Sequence, residues 1–378
     1  MSKRQIKLGF IGLGFIGTIH SIACFSMPLI FKNLPFEVKL GPVCKNNTED
    51  IPHFFEKGVK SIEEMLEECD VDAVDICTPN YLHYEQAMKA IEKGIPLYLE
   101  KPMGVNGKEA YEIMEKAKEK GLIHQTALMY RFMPAVNQAR DMIKNGEIGE
   151  ILNFKALMLH SGYMDPKRPM SWKMKKATSG GGAIVDMGIH LVDAVRFMIG
   201  EIKSLRANSK TYFKKRPVSK GSDIYEEVDV DDWTSVEVEM ENGGWGSIEA
   251  SRISPDLEEE TIFEIYGTKG SIKISTKHPR YAVLYKKQDN IQIIGDYDKK
   301  SKFSEYVESI YPTEKYSLGW MVDLHMASLI NFFTNIVEDK IVFSETPTFE
   351  EAYKDQVILD KILLSAENNG KVISNLKD

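Results

Sequence analysis

Four short segments hold residue types that could do chemistry. Gly12-Leu13-Gly14-Phe15-Ile16-Gly17 sets three glycines in G-x-G-x-x-G spacing. In such a loop the first glycine permits a tight turn, the second lets backbone approach a pyrophosphate, and the third packs helix against strand. A helix opening there offers free N–H groups and a positive dipole end to phosphates. Cys77-Thr78-Pro79-Asn80 runs on to His83, and Glu100-Lys101-Pro102 follows the short apolar run Leu97–Leu99. A lysine at a strand's end can hydrogen-bond a reacting hydroxyl and stabilise alkoxide character. Ser179-Gly180-Gly181-Gly182 leads to Asp186, Gly188, His190 and Asp193. Asp186 and His190 are four apart and share a helical face, with Asp193 one turn beyond His190. A carboxylate beside an imidazole suits general base catalysis. Metal binding by Asp186 and His190 would need two more ligands. His20, His53, His83, His124, His160, His278 and His325 are scattered without ligand spacing, so no metal is expected.

Apolar runs at Ile6–Ile11, Val38–Cys44, Ala73–Cys77, Leu97–Leu99 and Leu122–Leu128 read as strands. Between several of them lie helical patterns: Ser61–Glu68 with a capping box to Glu64, Tyr84–Lys93 stopped by Gly94, and Asn106–Lys120 stopped by Gly121. This βαβ rhythm predicts a parallel sheet whose strand C-terminal ends share one edge, where ligands bind. The second strand ends Cys44-Lys45-Asn46-Asn47, with lysine where an acidic ribose clamp is usual. Lys45 and Asn46 could receive a 2′-phosphate, so the cofactor is NAD or NADP with a lean to NADP. Met27–Phe36, with Pro28 and Pro35, reads as an insertion before that strand.

Beyond residue 130 the texture changes. Pro134–Lys144 and Gly182–Ile199 read as helices, and the chain from Lys203 to Ile294 reads as an antiparallel meander. Val236, Val238 and Met240 alternate with glutamates before an Asn242-Gly243 hairpin turn. The acidic stretch Asp223–Asp232 reads as a solvated loop, and helices close the chain at Leu318–Ile336 and Phe349–Ala366. The division expected is a dinucleotide-binding domain over 1–129 and an α+β substrate-binding and oligomerisation domain over 130–378.

The chain has 378 residues, 43% hydrophobic and 28% charged, with a net charge of −8. That composition supports a folded core and argues against nucleic-acid or anionic-membrane partners. Four cysteines without C-x-x-C spacing suggest a reducing, cytoplasmic setting. The basic residues before Leu8–Ile19 mimic a signal peptide, but glycines interrupt the apolar run and no A-x-A-like site follows.

Together these motifs resemble the glucose–fructose oxidoreductase, inositol dehydrogenase and MocA-like family. The resemblance rests on G-L-G-F-I-G-x-x-H ending at His20, C-T-P-N-x-x-H, E-K-P, Arg131-Phe132 with Pro134, and Gly146-x-Ile148-Gly149. It continues through Trp172-Lys173, G-G-G-x-x-x-D-x-G-x-H-x-x-D, Gly267-Thr268-Lys269-Gly270 and Ser365-Ala366. It implies a Rossmann domain, a second α+β domain on an open, mostly antiparallel sheet, and NAD or NADP chemistry on sugars, inositols or related polyols. By motif match Lys101, Asp186 and His190 take catalytic positions. Glu100, Thr78, Pro79, Asn80 and His83 take cofactor-side positions. Lys45 departs from the acidic clamp.

The reading is a dehydrogenase in which His190 exchanges the hydroxyl proton, Lys101 polarises the oxygen, and Asp186 orients His190 or grips a neighbouring hydroxyl. Tyr130, Arg131, His160, Tyr163 and Trp172 are expected to contact substrate. A homodimer or homotetramer is expected, with Val236, Val238 and Met240, or their hairpin partners, as an apolar patch on the sheet's free face. Two rivals share the fold: a non-catalytic nucleotide-bound regulator, which would not need Lys101, Asp186 and His190 together, and a lyase or glycosidase using NAD transiently.

Overall fold

A computed structural model describes residues 3–255 and 259–376. The chain forms two compact units. Lys108–Phe132 and Tyr306–Tyr353 join the chain up to Gly104 in the first; Val105–Gly107, Met133–Glu305 and the chain from Lys354 onward make the second.

The first unit is built on six strands: β1 (Arg4–Ile11), β2 (Phe36–Cys44), β3 (Gly58–Val59), β4 (Ala73–Ile76), β5 (Leu97–Leu99) and β6 (His124–Thr126). Ile6, Leu8, Phe10 and Ile11 of β1 are fully buried, as expected where helices cover both faces of a parallel sheet. All pairings are parallel, in the order β3-β2-β1-β4-β5-β6. The progression reverses between β1 and β4, which makes the crevice at their C-terminal ends the switch point of a Rossmann sheet. Ser61 caps the helix Ile62–Glu68 by accepting the Glu64 N–H, as the capping box predicts. Met27–Phe36 is not a separate insertion. The helix Phe15–Ile30 runs through Met27 and Pro28 before β2 begins at Phe36. The helix Trp320–Glu338 belongs to this unit and packs on Phe15–Ile30 and β2, with Phe333 edge-on to Phe36 at 5.5 Å.

The second unit carries β7 (Ile151–Leu159), β8 (Ile202–Lys210), β9 (Lys215–Pro217), β10 (Tyr225–Glu227), β11 (Trp233–Met240), β12 (Trp245–Ser251), β13 (Glu260–Gly267), β14 (Gly270–Ser275), β15 (Val283–Lys286) and β16 (Ile291–Ile294). Eight of them form one sheet, β16-β15-β14-β13-β7-β12-β11-β8, and β9 with β10 forms a separate ribbon. The sheet is not the simple meander expected. β7 inserts between β12 and β13, parallel to the former and antiparallel to the latter. Pairing partners distant in sequence leave no local pattern, so this insertion is invisible to periodicity.

Two further expectations fail in this unit. Val236, Val238 and Met240 are fully buried, so they face the core rather than a free surface. The opposite face of β11 carries Glu237 and Glu239, paired with Arg206 at 2.7 Å and Lys203 at 2.8 Å on β8. The acidic stretch 223–232 is not all solvated loop: Tyr225–Glu227 is β10, and Asp231 and Asp232 are buried. Among the described residues no helix is long and apolar enough to cross a membrane. All four cysteines are free thiols.

Candidate active site

The glycine loop leaves β1 and enters the helix Phe15–Ile30. Gly12 has φ +93°, a conformation L side chains avoid, and a Cβ there would stand 2.9 Å from the Cys77 carbonyl oxygen. A Cβ on Gly17 would stand 2.5 Å from the Gly12 carbonyl oxygen. Gly14 differs: nothing lies within 4 Å of where its Cβ would be. It is the N-cap of the helix and no side chain caps it. The two tight glycines bring strand and helix together. The open one leaves room at a bare helix N-terminus, which fits a dinucleotide pyrophosphate. Phe15 is exposed and Ile16 half-buried beside it.

At the end of β2, Lys45 is half-buried and its Nζ donates to the Asp50 carbonyl at 2.8 Å, while Asn46 is exposed. The Cys77–Asn80 turn follows β4. Thr78 donates its hydroxyl to Gln86 Oε1 at 2.6 Å, Pro79 is the N-cap of the helix Asn80–Glu92, and Asn80 is buried. His83 is buried between two carbonyls, Pro102 O at 2.7 Å and Thr78 O at 2.8 Å. It ties the turn after β4 to the turn after β5. Burial pushes it below the ordinary histidine value, against the pull of the two carbonyls.

Glu100 is buried, and its Oε2 accepts the Lys101 backbone N–H at 3.1 Å. Lys101 is half-buried beside it. Behind this turn lies a buried polar chain that the motifs do not disclose. His20 Nδ1 is 2.8 Å from Asp75 Oδ2, and His20 Nε2 is 2.9 Å from His325 Nδ1 and 3.3 Å from Glu100 Oε1. Tyr130 is fully buried and stacks on Trp320 at 6.3 Å. Arg131 is also buried, with Nη2 3.2 Å from Glu351 Oε2 and Nη1 donating to the Glu345 carbonyl. Both are packed inside the first unit.

In the second unit the three glycines before Asp186 are forced by close backbone. A Cβ on Gly180 would lie 2.5 Å from Val105 O, and one on Gly182 1.9 Å from Asp231 O. Asp231 accepts the Gly182 and Ile184 N–H groups at 2.8 and 2.9 Å, capping the helical segment that follows. That segment is not the regular helix expected over 182–199. Ile184–Gly188 is a π turn, and the α-helix proper is Ile189–Ile199. Asp186 lies in the π turn; His190 and Asp193, both buried, lie in the α-helix. π turns are frequent at functional sites.

The Asp186 carboxylate is held by Lys173, whose Nζ is 3.1 Å from Oδ1 and 2.9 Å from Oδ2. Lys173 also lies over the Trp172 ring at 5.5 Å. Sequence reasoning missed Lys173 as a site residue; its signal was the Trp172-Lys173 pair. His160 is close enough to feel Asp186. Burial, with Arg252, Lys173 and Arg168, pushes it below the ordinary histidine value, and its Nδ1 accepts the Gly162 N–H at 2.9 Å. The Arg168 and Arg252 guanidiniums lie over the Tyr163 ring at 4.2 and 4.3 Å. Thus Trp172, Lys173, Asp186 and His160 form a polar, aromatic cluster.

The fold and glycine loop define a dinucleotide-binding enzyme with a second α+β unit. Residues 6–128 match the family model for an oxidoreductase family with an NAD-binding Rossmann fold, and residues 136–273 match the Gfo/Idh/MocA C-terminal domain. Levoglucosan dehydrogenase of Pseudarthrobacter phenanthrenivorans is 30% identical over 397 aligned positions, covering 96% of each chain. The scyllo-inositol 2-dehydrogenase (NAD(+)) of Bacillus subtilis is 30% identical, covering 79% of this chain and 82% of its own. A solved levoglucosan dehydrogenase in complex with NADH and levoglucosan superposes with a TM-score of 0.87 at 29% identity, over 98% of this chain and 99% of that one. The chain therefore belongs to the Gfo/Idh/MocA family of NAD-binding oxidoreductases.

Proposed function

We propose that the chain is an NAD(P)-dependent sugar dehydrogenase, oxidising one CH–OH of a pyranose-type sugar, an anhydro sugar or an inositol. The observation that carries this reading is the Lys173–Asp186 pair flanked by Trp172 and His160. Charged hydrogen-bonding groups beside an aromatic face suit a polyol ring, which is hydroxyl-rimmed with an apolar C–H face. The bound nicotinamide supplies the site that takes or gives the hydride. Lys101 donates a hydrogen bond to the reacting oxygen and favours alkoxide character there. His190 takes the hydroxyl proton as general base. Asp186, oriented by Lys173, accepts from a neighbouring hydroxyl. Trp172 offers ring surface, while Tyr163 is buried beneath the Arg168 and Arg252 guanidiniums. Tyr130 and Arg131, packed as they are, support the first unit rather than touch substrate.

Gly12, Gly14, Phe15, Ile16 and Gly17 hold the pyrophosphate side. Thr78, Pro79, Asn80 and Glu100 line the nicotinamide side, with His83 positioning both turns. Lys45 and Asn46 at the end of β2 tilt the choice toward NADP. A homodimer or homotetramer forms through the sheet's outward face, where Leu152 and Trp245 are exposed among the charged ladder. The free thiols suit a cytoplasmic location. The test is a panel of anhydro sugars, pyranoses and inositols with NAD and NADP, followed by nicotinamide absorbance. Net reduction with at least one sugar is expected. Tight cofactor with no net reduction on any member overturns the reading and favours a transient-redox lyase or a regulator.

A further inference from the structure

The buried chain behind Glu100 is unusual because it concentrates charge where solvent is absent. His20, Asp75, Glu100 and His325 come from the helix Phe15–Ile30, from β4, from the turn after β5 and from the helix Trp320–Glu338, and all are nearly or fully buried. Both nitrogens of His20 face acceptors: Asp75 Oδ2 at 2.8 Å on one side, and His325 Nδ1 at 2.9 Å with Glu100 Oε1 at 3.3 Å on the other. Glu100 Oε1 has no aligned hydrogen-bond partner and is shielded from water. A neutral His20 with its proton on Nδ1 would aim a lone pair at that carboxylate oxygen, leaving a buried anion uncompensated. A proton on both nitrogens satisfies Asp75 and faces Glu100 with positive charge.

We propose that His20 is a permanently protonated imidazolium which holds Glu100 as a carboxylate and thereby positions the Glu100–Pro102 turn that presents Lys101. It is a positioning residue. Its bearing on turnover rests on the role proposed above for Lys101; its protonation does not.

The surroundings agree. Burial is the largest influence and opposes charge on His20, but Asp75 and Cys77 together hold the ring well above the ordinary value. Cys77 Sγ lies 3.2 Å from both His20 Nδ1 and Asp75 Oδ1. Burial and Asp75 push Cys77 up, so it is a thiol and adds no negative charge. Cys24, on the same helix as His20, is likewise kept a thiol by burial. The Tyr98 ring meets His20 edge-on at 5.5 Å and shares a hydrogen bond with Ser328 Oγ at 2.7 Å, and burial pushes its hydroxyl up, so it too is neutral. Burial alone would raise Glu100, yet the His20 ring, with His325 and Lys101 adding to the pull, carries it down to about 2. Two carboxylates thus face the imidazolium and the Lys101 ammonium, and His325, whose Nδ1 lies 2.9 Å from His20 Nε2, completes the titratable groups around the ring.

The test uses ¹⁵N-histidine labelling of the full chain. His20, assigned by loss of its signal in His20→Gln, should show two protonated ring nitrogens at pH 7 and above, past the ordinary value of roughly 6.5. In His20→Gln the cation is gone, and a buried carboxylic-acid C=O band should appear in the infrared near neutral pH. It should be absent in wild type and absent again in His20→Gln/Glu100→Gln. Turnover in His20→Gln should fall at least about tenfold with sugar KM little changed, the usual scale for losing a support behind a reacting group. If His20→Gln does not fold, the His20 ring is assigned in the wild type by through-bond correlation to its own backbone, and that spectrum decides alone. A neutral His20 ring at pH 7, or a metal ion co-purifying with the chain and lost in His20→Gln, overturns the proposal. No turnover by wild type with any sugar would sink the dehydrogenase reading, whereas the ring-nitrogen spectrum tests His20 independently of turnover.

Discussion

The strand edge of the first unit and the polar cluster of the second are built on opposite principles. At the edge, the charged groups behind Lys101 are inside the protein: His20 and Asp75 are fully buried, and Glu100 nearly so. They come from strand ends and long helices that packing holds rigid. In the second unit, Asp186 and Lys173 retain side-chain exposures of 30% and 37% and sit on a π turn and a short loop helix. Buried charge keeps one geometry, because any slip leaves an ion unpaired in low dielectric. Half-exposed charge tolerates rearrangement. The contrast suits the roles proposed for them, a fixed cofactor at the first and a variable sugar at the second, since half-exposed groups can be retuned at little cost to the fold.

The sharpest way to break that contrast is Gly14→Val. The position opens on space, with nothing within 4 Å of where a Cβ would stand, so the thermal midpoint should move little. The same side chain fills the place of the pyrophosphate, so NAD(H) affinity by calorimetry should fall at least about a hundredfold, roughly 2.7 kcal/mol. Unchanged affinity in a folded variant would remove the glycine loop from the cofactor site.

Next in size is His190→Ala. It should lower kcat by about 10² or more, the scale of a lost general base, while NADH affinity barely changes. The acidic limb of the pH profile for oxidation should vanish with it. Near-normal turnover would leave His190 a packed helix residue.

Within the first unit the contrast can be sharpened on two histidines. His20 has carboxylates around it; His124 has an aromatic ring. His124 stacks on Phe349 at 4.3 Å, and its Nδ1 accepts the Phe349 N–H at 3.1 Å, which requires a lone pair there. Burial pushes it down to about 4, with only Glu350 pulling the other way. Its unfolded value is roughly 6.5, so below that the unfolded chain binds more protons than the native one. The stability from a neutral His124 is therefore full above pH 6.5 and drains away as pH falls toward 4. The loss is on the order of 2–3 kcal/mol across that window. His20 runs the other way: its raised value makes its contribution full below roughly pH 6.5 and lost only as pH rises through that raised value. Urea midpoints from pH 7 to 4 should fall in wild type and flatten in His124→Gln. Equal slopes would mean that other groups set the acid limb.

Local pattern made the first unit's elements legible. Five of its six strands, the Ser61 cap and the positions of the glycines could be read from neighbouring residues, because apolar runs and capping boxes write themselves into short windows; the two-residue β3 (Gly58–Val59) is too short to leave such a pattern. The helix Pro134–Lys144 matched its expected span for the same reason, with proline at its first turn. What was not legible depends on partners far apart in the chain. The insertion of β7, the return of Trp320–Glu338 to the first unit, the Asp231 cap and the Lys173–Asp186 pair each join segments that no periodicity links. The π turn at Ile184–Gly188 hid behind ordinary helical spacing, since four residues span nearly one turn of either helix. Val236, Val238 and Met240 were legible as a strand face but not as to which face, because alternation gives the period and leaves the direction of the core open.

The smallest expected effect concerns cofactor choice. Lys45 follows the last residue of β2, and its Nζ is tethered to the Asp50 carbonyl, which keeps the ammonium at the strand's C-terminal end. A 2′-phosphate arriving there would gain a charge-assisted hydrogen bond, and the exposed Asn46 beside it offers a further donor. An adenosine ribose bearing only hydroxyls gains less, since lysine provides no acceptor. Lys45→Asp reverses both terms at once: it repels the phosphate and accepts from two ribose hydroxyls. The ratio of kcat/KM for NADP over NAD should fall by about tenfold, roughly 1.4 kcal/mol, with turnover on saturating cofactor unchanged. The modest size follows from exposure, because solvent and salt screen a half-exposed ammonium. The effect should therefore shrink further at high ionic strength, unlike any effect of the buried His20 centre. A wild type that strongly prefers NAD, with no response in Lys45→Asp, would make Lys45 a strand-end lysine tied to Asp50 and nothing more.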